Sequence, residues 1–248
     1  MATCALALYT IGLAMLTMQR ARVWESELTL WADAAAKSPQ MLRPHLRLAD
    51  ALVLDEEYEA AEAAYLRAIA LRPSHPASRN NLGLFYRNRG RLDEAQSQFG
   101  TLLAVSPDNV PARLNLAEIE LQHGRWEAAD THYDSALIYD HTKGRAQVRR
   151  GQIELRFRGD AGVALEHFDA GIAAGASDDA DAHVGRGVAL RKLGFDDLAL
   201  DAYRRAIALA PGRSDIWYNV GNLHLTRGEI APAVGAMQRV IDIGDDPD

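Results

Sequence analysis

Residues 82–107 read LGLFYRNRGRLDEAQSQFGTLLAVSP. Seven positions in this stretch recur at a fixed distance: Leu82, Gly83, Tyr86, Gly90, Ala95, Phe99 and Pro107. Thirty-four residues earlier the chain holds Leu48, Ala49, Leu52, Ala61, Tyr65 and Pro73. Thirty-four residues later it holds Leu116, Ala117, Gly124, Ala129 and Tyr133. A period of this length means stacked helical hairpins, because each hairpin can bury its apolar face only against its neighbours.

Each recurring residue has a physical reason. A small residue in the first helix, and again in the second, lets the two backbones come close. The large aromatic of the second helix (Tyr65, Phe99, Tyr133, Phe168, Tyr203) fills the gap between hairpins. Gly90, Gly124, Gly194 and Gly228 end the first helix, where a left-handed residue costs glycine little. Proline after the second helix stops it. Extending the period gives hairpins at 42–75, 76–109, 110–143, 144–179, 180–213 and 214–247. The fourth is irregular, with an extra residue near Gly159–Asp160. Its glycine–alanine segment, Gly171 to Ser177, reads as a soft junction because glycine weakens helices. His141 stands where the third copy should carry proline, and Glu120 and Glu154 stand where an apolar residue is usual. Upstream, 23–41 reads as an amphipathic half-repeat, with Trp24, Leu28, Trp31 and Ala35 on one face.

These signatures resemble those of tetratricopeptide (TPR) proteins over 42–247. The resemblance implies an all-α, right-handed α-solenoid of about six TPR hairpins, preceded by the half-repeat and a hydrophobic helix within 1–22. It also implies protein binding and no chemistry of its own.

Bulk composition agrees with an ordinary globular chain: 48% of the 248 residues are hydrophobic and 25% charged. The net charge of −7 lacks the basic footprint of nucleic-acid binding. With Cys4 as the single cysteine, no internal disulfide or cysteine-based zinc site can form. The eight histidines are scattered, with no metal-ligand spacing, and no nucleophile or phosphate-loop motif occurs. Neither a catalytic residue nor a metal or cofactor is expected.

Ala2 to Met18 carries no charge and spans about 25 Å as a helix, the short end of a bilayer crossing. A single-pass anchor is the expectation. A signal peptide and a buried helix are the alternatives, although the basic n-region of a signal peptide is missing. Arg20 and Arg22 on its C-terminal flank would keep the repeats cytoplasmic. Residues 23–52, VWESELTLWADAAAKSPQMLRPHLRLADAL, resemble the junction between the last membrane helix and the TPR domain in bacterial protein O-mannosyltransferase-type membrane proteins. That resemblance rests on Trp24, Leu30, Trp31, Pro39, Arg43, Pro44 and His45, and implies repeats facing away from the cytoplasm.

The first helices supply a candidate peptide groove: Arg47, Asn80, Asn81, Arg87, Asn115, Glu118, Arg149, Gln152, Arg191, Asn219 and Asn222. Arg43, Asp50, Arg156 and Lys192 belong to the same helices. Asn81, Asn115 and Asn219 share one repeat position, and an amide there both donates to and accepts from a peptide backbone. The arrangement resembles the asparagine ladder in the TPR region of O-GlcNAc transferase. Arginines on this face suit carboxylate capture. The lysine–asparagine set of the chaperone-binding TPR carboxylate clamp is not reproduced. At the other end, Val234, Met237 and Ile241 form an apolar edge with no polar capping helix after it, a second candidate partner surface. The sequence thus predicts a membrane-tethered scaffold for protein partners, the alternative being an accessory, substrate-positioning subunit of a membrane glycosyltransferase-type enzyme.

Overall fold

The computed structural model describes residues 23–138 and 143–244, together with Leu13, Met15, Thr17, Met18, Arg20 and Ala21. Among them every regular element is helical and there is no strand. The chain divides into two compact units, Met1–Pro107 and Asp108–Asp248. The first holds α1 (Glu27–Lys37), α2 (Leu42–Leu54), α3 (Tyr58–Leu71), α4 (Pro76–Asn88) and α5 (Leu92–Val105). The second holds α6 (Val110–Gln122), α7 (Trp126–Ala136), α8 (Lys143–Ile153), a π-helical turn (Glu154–Arg158) and α9 (Ala161–Ala173). It continues with α10 (Ala180–Lys192), α11 (Asp196–Leu209), α12 (Ser214–Thr226) and α13 (Ile230–Gly244). Successive helices pair as hairpins: α2 with α3, α4 with α5, α6 with α7, α8 with α9, α10 with α11, and α12 with α13.

α1 packs on α2. It starts later than the sequence suggests, because Ser26 caps it: the Ser26 hydroxyl accepts from the Thr29 amide, and the Thr29 hydroxyl accepts from the Ser26 amide. Trp24 therefore precedes the helix and lies exposed, while Ala35 is buried. No helix among the described residues is long and apolar enough to cross a membrane. The uncharged run 2–18 falls largely outside the described residues, as do Arg22 and His141.

The first helices of the hairpins end alike. Gly90 (φ 73°) follows α4, and the next amide, of Arg91, donates to the Tyr86 carbonyl at 2.9 Å. In the first hairpin the equivalent residue is Glu56, also left-handed (φ 61°), and the Glu57 amide donates to the Leu52 carbonyl at 2.9 Å. The same six-residue closure thus forms with a side chain that is strained there.

The small first-helix residues make room for rings rather than for a second backbone. A β-carbon on Gly83 would stand 2.7 Å from the Phe99 ring, and one on Gly187 2.5 Å from Tyr203. Phe168 lies between two glycines, Gly151 at 3.0 Å and Gly185 at 2.2 Å by the same measure. Phe99, Tyr133, Phe168 and Tyr203 are wholly buried. Backbones do meet at the glycine–alanine segment: a β-carbon on Gly144 would lie 3.0 Å from the carbonyl oxygens of Gly171 and Ala174. Where the sequence suggests softness, α8 and α9 approach backbone to backbone.

The irregular fourth repeat takes its extra residue as the π-helical turn, which closes at Gly159 (φ 75°). Two unexpected acids sit here or nearby. Glu154 and Glu120 are each only 5% exposed, and each is held by an arginine, Arg158 and Arg125 respectively. They replace apolar residues because a guanidinium reaches each of them.

Candidate functional site

The first helices of the repeats carry the polar residues read from the sequence, and the structure gathers them in two separate places. In the first unit, α2 and α4 border a shallow cavity of about 430 Å³. Leu42, Arg43, Leu46, Arg47 and Asp50 line it from α2, and His75, Ala77 and Asn81 from the start of α4. Asp50 accepts the Tyr65 hydroxyl at 2.7 Å and meets Arg47 at 3.8 Å. Burial, then this hydrogen bond, push the Tyr65 phenol well above its usual range. His75 caps α4: its Nδ1 accepts from the Ser78 amide at 3.3 Å, which leaves the ring proton on Nε2. Of the other expected residues here, Asn80 is half-buried with an Oδ1 that has no hydrogen-bond partner, and Arg87 is half-buried with bonded neighbours.

In the second unit, Glu118 of α6 accepts from Arg149 of α8 at 2.8 Å, and Arg149 also donates to Gln152 at 2.8 Å. Three expected residues thus form one chain of hydrogen bonds. Glu118 occupies the repeat position of Asp50, and the buried Tyr133 faces it as Tyr65 faces Asp50. Burial and the Glu118 carboxylate raise the Tyr133 phenol. On α10, Arg191 points its Nε inward, sealed from water, beside the wholly buried Tyr203 hydroxyl. Burial raises the Tyr203 phenol and the Arg191 charge opposes the rise. Asn115 is half-buried with bonded neighbours, and Asn219 and Asn222 are half-buried on α12. α10 touches both α8 and α12, so these helices share one face. Arg156 lies instead in the π-helical turn, 5.3 Å over the Phe157 ring.

At the C-terminal edge, Val234 and Ile241 are 61% and 53% exposed, and Ile230 joins them. Met237 behaves differently: a β-carbon on Gly221 would lie 2.7 Å from its Cε. It takes the aromatic position of the last repeat and packs inward, so it belongs to the hairpin core more than to the edge.

One cluster was not foreseen. Asp130, 8% exposed, accepts from Arg150 at 2.7 Å and from Arg158 at 2.9 Å. Arg150 also donates to Asp134 at 2.6 Å, and Arg158 to Glu154. The Arg158 guanidinium lies 5.0 Å over Trp126, which stacks on Phe157 at 5.7 Å. Every charge in the cluster has a partner, so it braces the π-helical turn and leaves nothing to bind a ligand. Asp130 and Glu154 were the available signals, as acids at slots facing a neighbouring helix. Among the described residues no group of three metal-ligating side chains converges.

Family models of the tetratricopeptide repeat match residues 64–97 and 86–150, and a third model matches 28–76, 150–214 and 195–247, more than half of the chain. The chain belongs to the tetratricopeptide repeat family. Solved structures share its fold. MamA is 22% identical over 66% of this chain and 95% of its own, with a TM-score of 0.58. YrrB, a TPR protein with an unusual peptide-binding site, is 18% identical over 74% and 93%, at 0.60. PilW, a type IV pilus biogenesis factor, is 17% identical over 83% and 94%, at 0.70. At these identities the likeness speaks for the fold. No curated protein matches this TPR chain in sequence, so the O-mannosyltransferase-type junction gains no support from a relative.

Proposed function

We propose that this TPR protein is a binding scaffold without catalytic activity of its own, and that it holds an extended segment of a partner protein against the first helices of its repeats. The observation that carries this reading is the cavity between α2 and α4. There Arg47 and Asn81, two of the groove residues read from the sequence, converge with Asp50, Leu42 and Leu46. Backbone-pairing amides beside apolar contacts are what an extended peptide needs. YrrB, similar in fold, has a peptide-binding site by its own description. A photo-crosslinking amino acid at Ala77, on the cavity, tests the reading against the same probe at Leu66, on the exposed face of α3. Partner adducts are expected from Ala77 and not from Leu66; equal adducts from both would overturn it.

The tether is part of the same proposal and rests on the uncharged run Ala2–Met18. The full chain is expected to sediment with membranes and a chain lacking residues 1–22 to remain in the supernatant. A full chain found only in the supernatant would remove the tether and leave the scaffold.

A further inference from the structure

The turns of the fifth and sixth repeats carry a surface distinct from the first helices. The residue before the second helix is charged in the other repeats: Glu57, Arg91, Arg125, Asp160 and Glu229. These charges serve the fold. Arg91 pairs with Glu62 at 2.6 Å, and Asp160 caps α9 by accepting from the Val163 amide. In the fifth repeat the same position holds Phe195, which is 53% exposed and gives α11 no side-chain cap. It forgoes the hydrogen bond that an Asp or Ser would supply. Leu198 is 50% exposed where the second repeat carries Glu94, and Leu193 is 39% exposed where it carries Arg89. Large apolar side chains thus meet water at three positions of one turn, the mark of an interaction surface.

Phe195 and Leu198 border a hollow of about 440 Å³ with Gly194, Asp196, Asp197 and, from the next turn, Arg227. Its charge is uneven. Arg227 donates to Asp197 at 2.8 Å and meets Glu229 at 3.0 Å, and Asp196 acts on it as well. Three carboxylates therefore share one guanidinium. His224, bonded to Glu229 at 2.5 Å, leaves these acids in excess even when it is charged. Lys192 ends α10 outside the lining. Asp196 and Asp197 also stand in the first turn of α11, so the positive end of that helix is already answered.

We propose that this hollow is a second docking site, and that its occupant is a basic–apolar segment of a partner protein. A large apolar side chain lies on Phe195 and Leu198, and a Lys or Arg beside it meets Asp196 and Asp197. An aromatic ring rimmed by charge is the usual form of a binding hot spot. A second copy would bring a net charge of −7 to an acidic rim, and an acidic segment meets the same repulsion.

A random dodecapeptide phage library, depleted on the Phe195→Arg/Leu198→Glu variant and then selected on the full chain, tests this. The two substitutions copy Arg91 and Glu94, which pair with each other in the second repeat, into exposed positions. The variant is therefore expected to melt with the parent. The expected winners join Lys or Arg to Leu, Phe or Trp. Their synthetic copies should bind the variant roughly thirtyfold more weakly, the scale of a lost interface anchor. Asp196→Asn/Asp197→Asn should weaken the same copies roughly threefold, and raised salt should weaken their binding to the parent. No enrichment after depletion, winners without basic residues, or equal affinity for the parent and the Asn variant would each overturn the proposal. A parent that sediments as a dimer, with the Phe195→Arg/Leu198→Glu variant a monomer, would overturn it too, by giving the surface to a second copy. Each failure leaves the first-helix reading standing, because the Ala77 probe lies in the other unit.

Discussion

In the second repeat, one ring from α5, Phe99, fills the space opened by one glycine, Gly83. In the fourth, Phe168 fills the space opened by two, Gly151 of its own repeat and Gly185 of the next. Phe99 is wholly buried. Beside Phe168 the chain carries a π-helical turn, two buried acids and two arginines that answer them. The ring and its glycine survive in both; what differs is how each repeat handles length. Thirty-four residues close on themselves in the second, whereas the longer fourth stores its surplus in the turn and fixes it with charge. The aromatic position is therefore the geometric invariant of the stack, and the ion cluster is a local repair.

The largest effect should come from closing the aromatic position. Gly185→Leu is expected to cost about 3 kcal/mol and Gly83→Leu about 2–3 kcal/mol, read as a fall in the unfolding midpoint. Gly185 is the worse because its β-carbon would stand 2.2 Å from Phe168, against 2.7 Å from Phe99. An unchanged midpoint in either would show that the ring does not set the spacing.

Next comes the repair itself. Arg158→Met leaves Glu154 buried without its partner and is expected to cost about 2 kcal/mol. Arg91→Met in the second repeat, where Arg91 pairs with Glu62 nearer the surface, should cost distinctly less. Equal losses would erase the distinction between a braced and an unbraced repeat.

The second repeat also makes a pH prediction. Burial, and then the hydrogen bond it donates to Glu62, push the Tyr86 phenol up to about 12. The raised value favours the neutral phenol in the fold, so this contribution is whole below about pH 10 and disappears as pH climbs through 12. Glu62 is held below the usual carboxylate range, chiefly by Arg91 and also by Tyr86, and its contribution disappears as pH falls below about 4. Tyr86→Phe should lessen the alkaline loss without abolishing it, because Tyr65, Tyr133 and Tyr203 are raised as well, and Glu62→Gln should lessen the acid loss. A Tyr86→Phe variant that keeps the full alkaline loss would show that another group titrates there.

The smallest effect is a gain. Glu56→Gly relieves a left-handed glutamate and should stabilise the first hairpin by roughly 0.5–1 kcal/mol. A loss of stability would mean that the greater freedom of glycine in the unfolded chain outweighs the strain.

Much of this was legible because the determinants repeat. Gly83, Phe99 and Gly90 each recur often enough that position alone gave the hairpins and their order, whereas the pairing of each glycine with a ring emerged from the packing. Of the residues read from the sequence as a groove, Glu118, Arg149 and Gln152 do join by hydrogen bonds, and Arg47 and Asn81 do line one cavity. Reading by slot named Arg43 but neither Leu42 nor Leu46, because the cavity forms where the ends of two helices meet and no single period marks that. It misjudged Met237, since an apolar residue at the last repeat looks like surface until Gly221 is seen to receive it. It also read Gly171–Ser177 as weakness, because helix propensity is a local quantity whereas close approach is a tertiary one.

The most direct test of the account is covalent footprinting of the full chain with and without a synthetic peptide copied from the partner segment crosslinked at Ala77. Protection confined to the first helices, with α2 and α4 foremost, is the predicted result. Protection confined to the second helices α3 and α5 would contradict it.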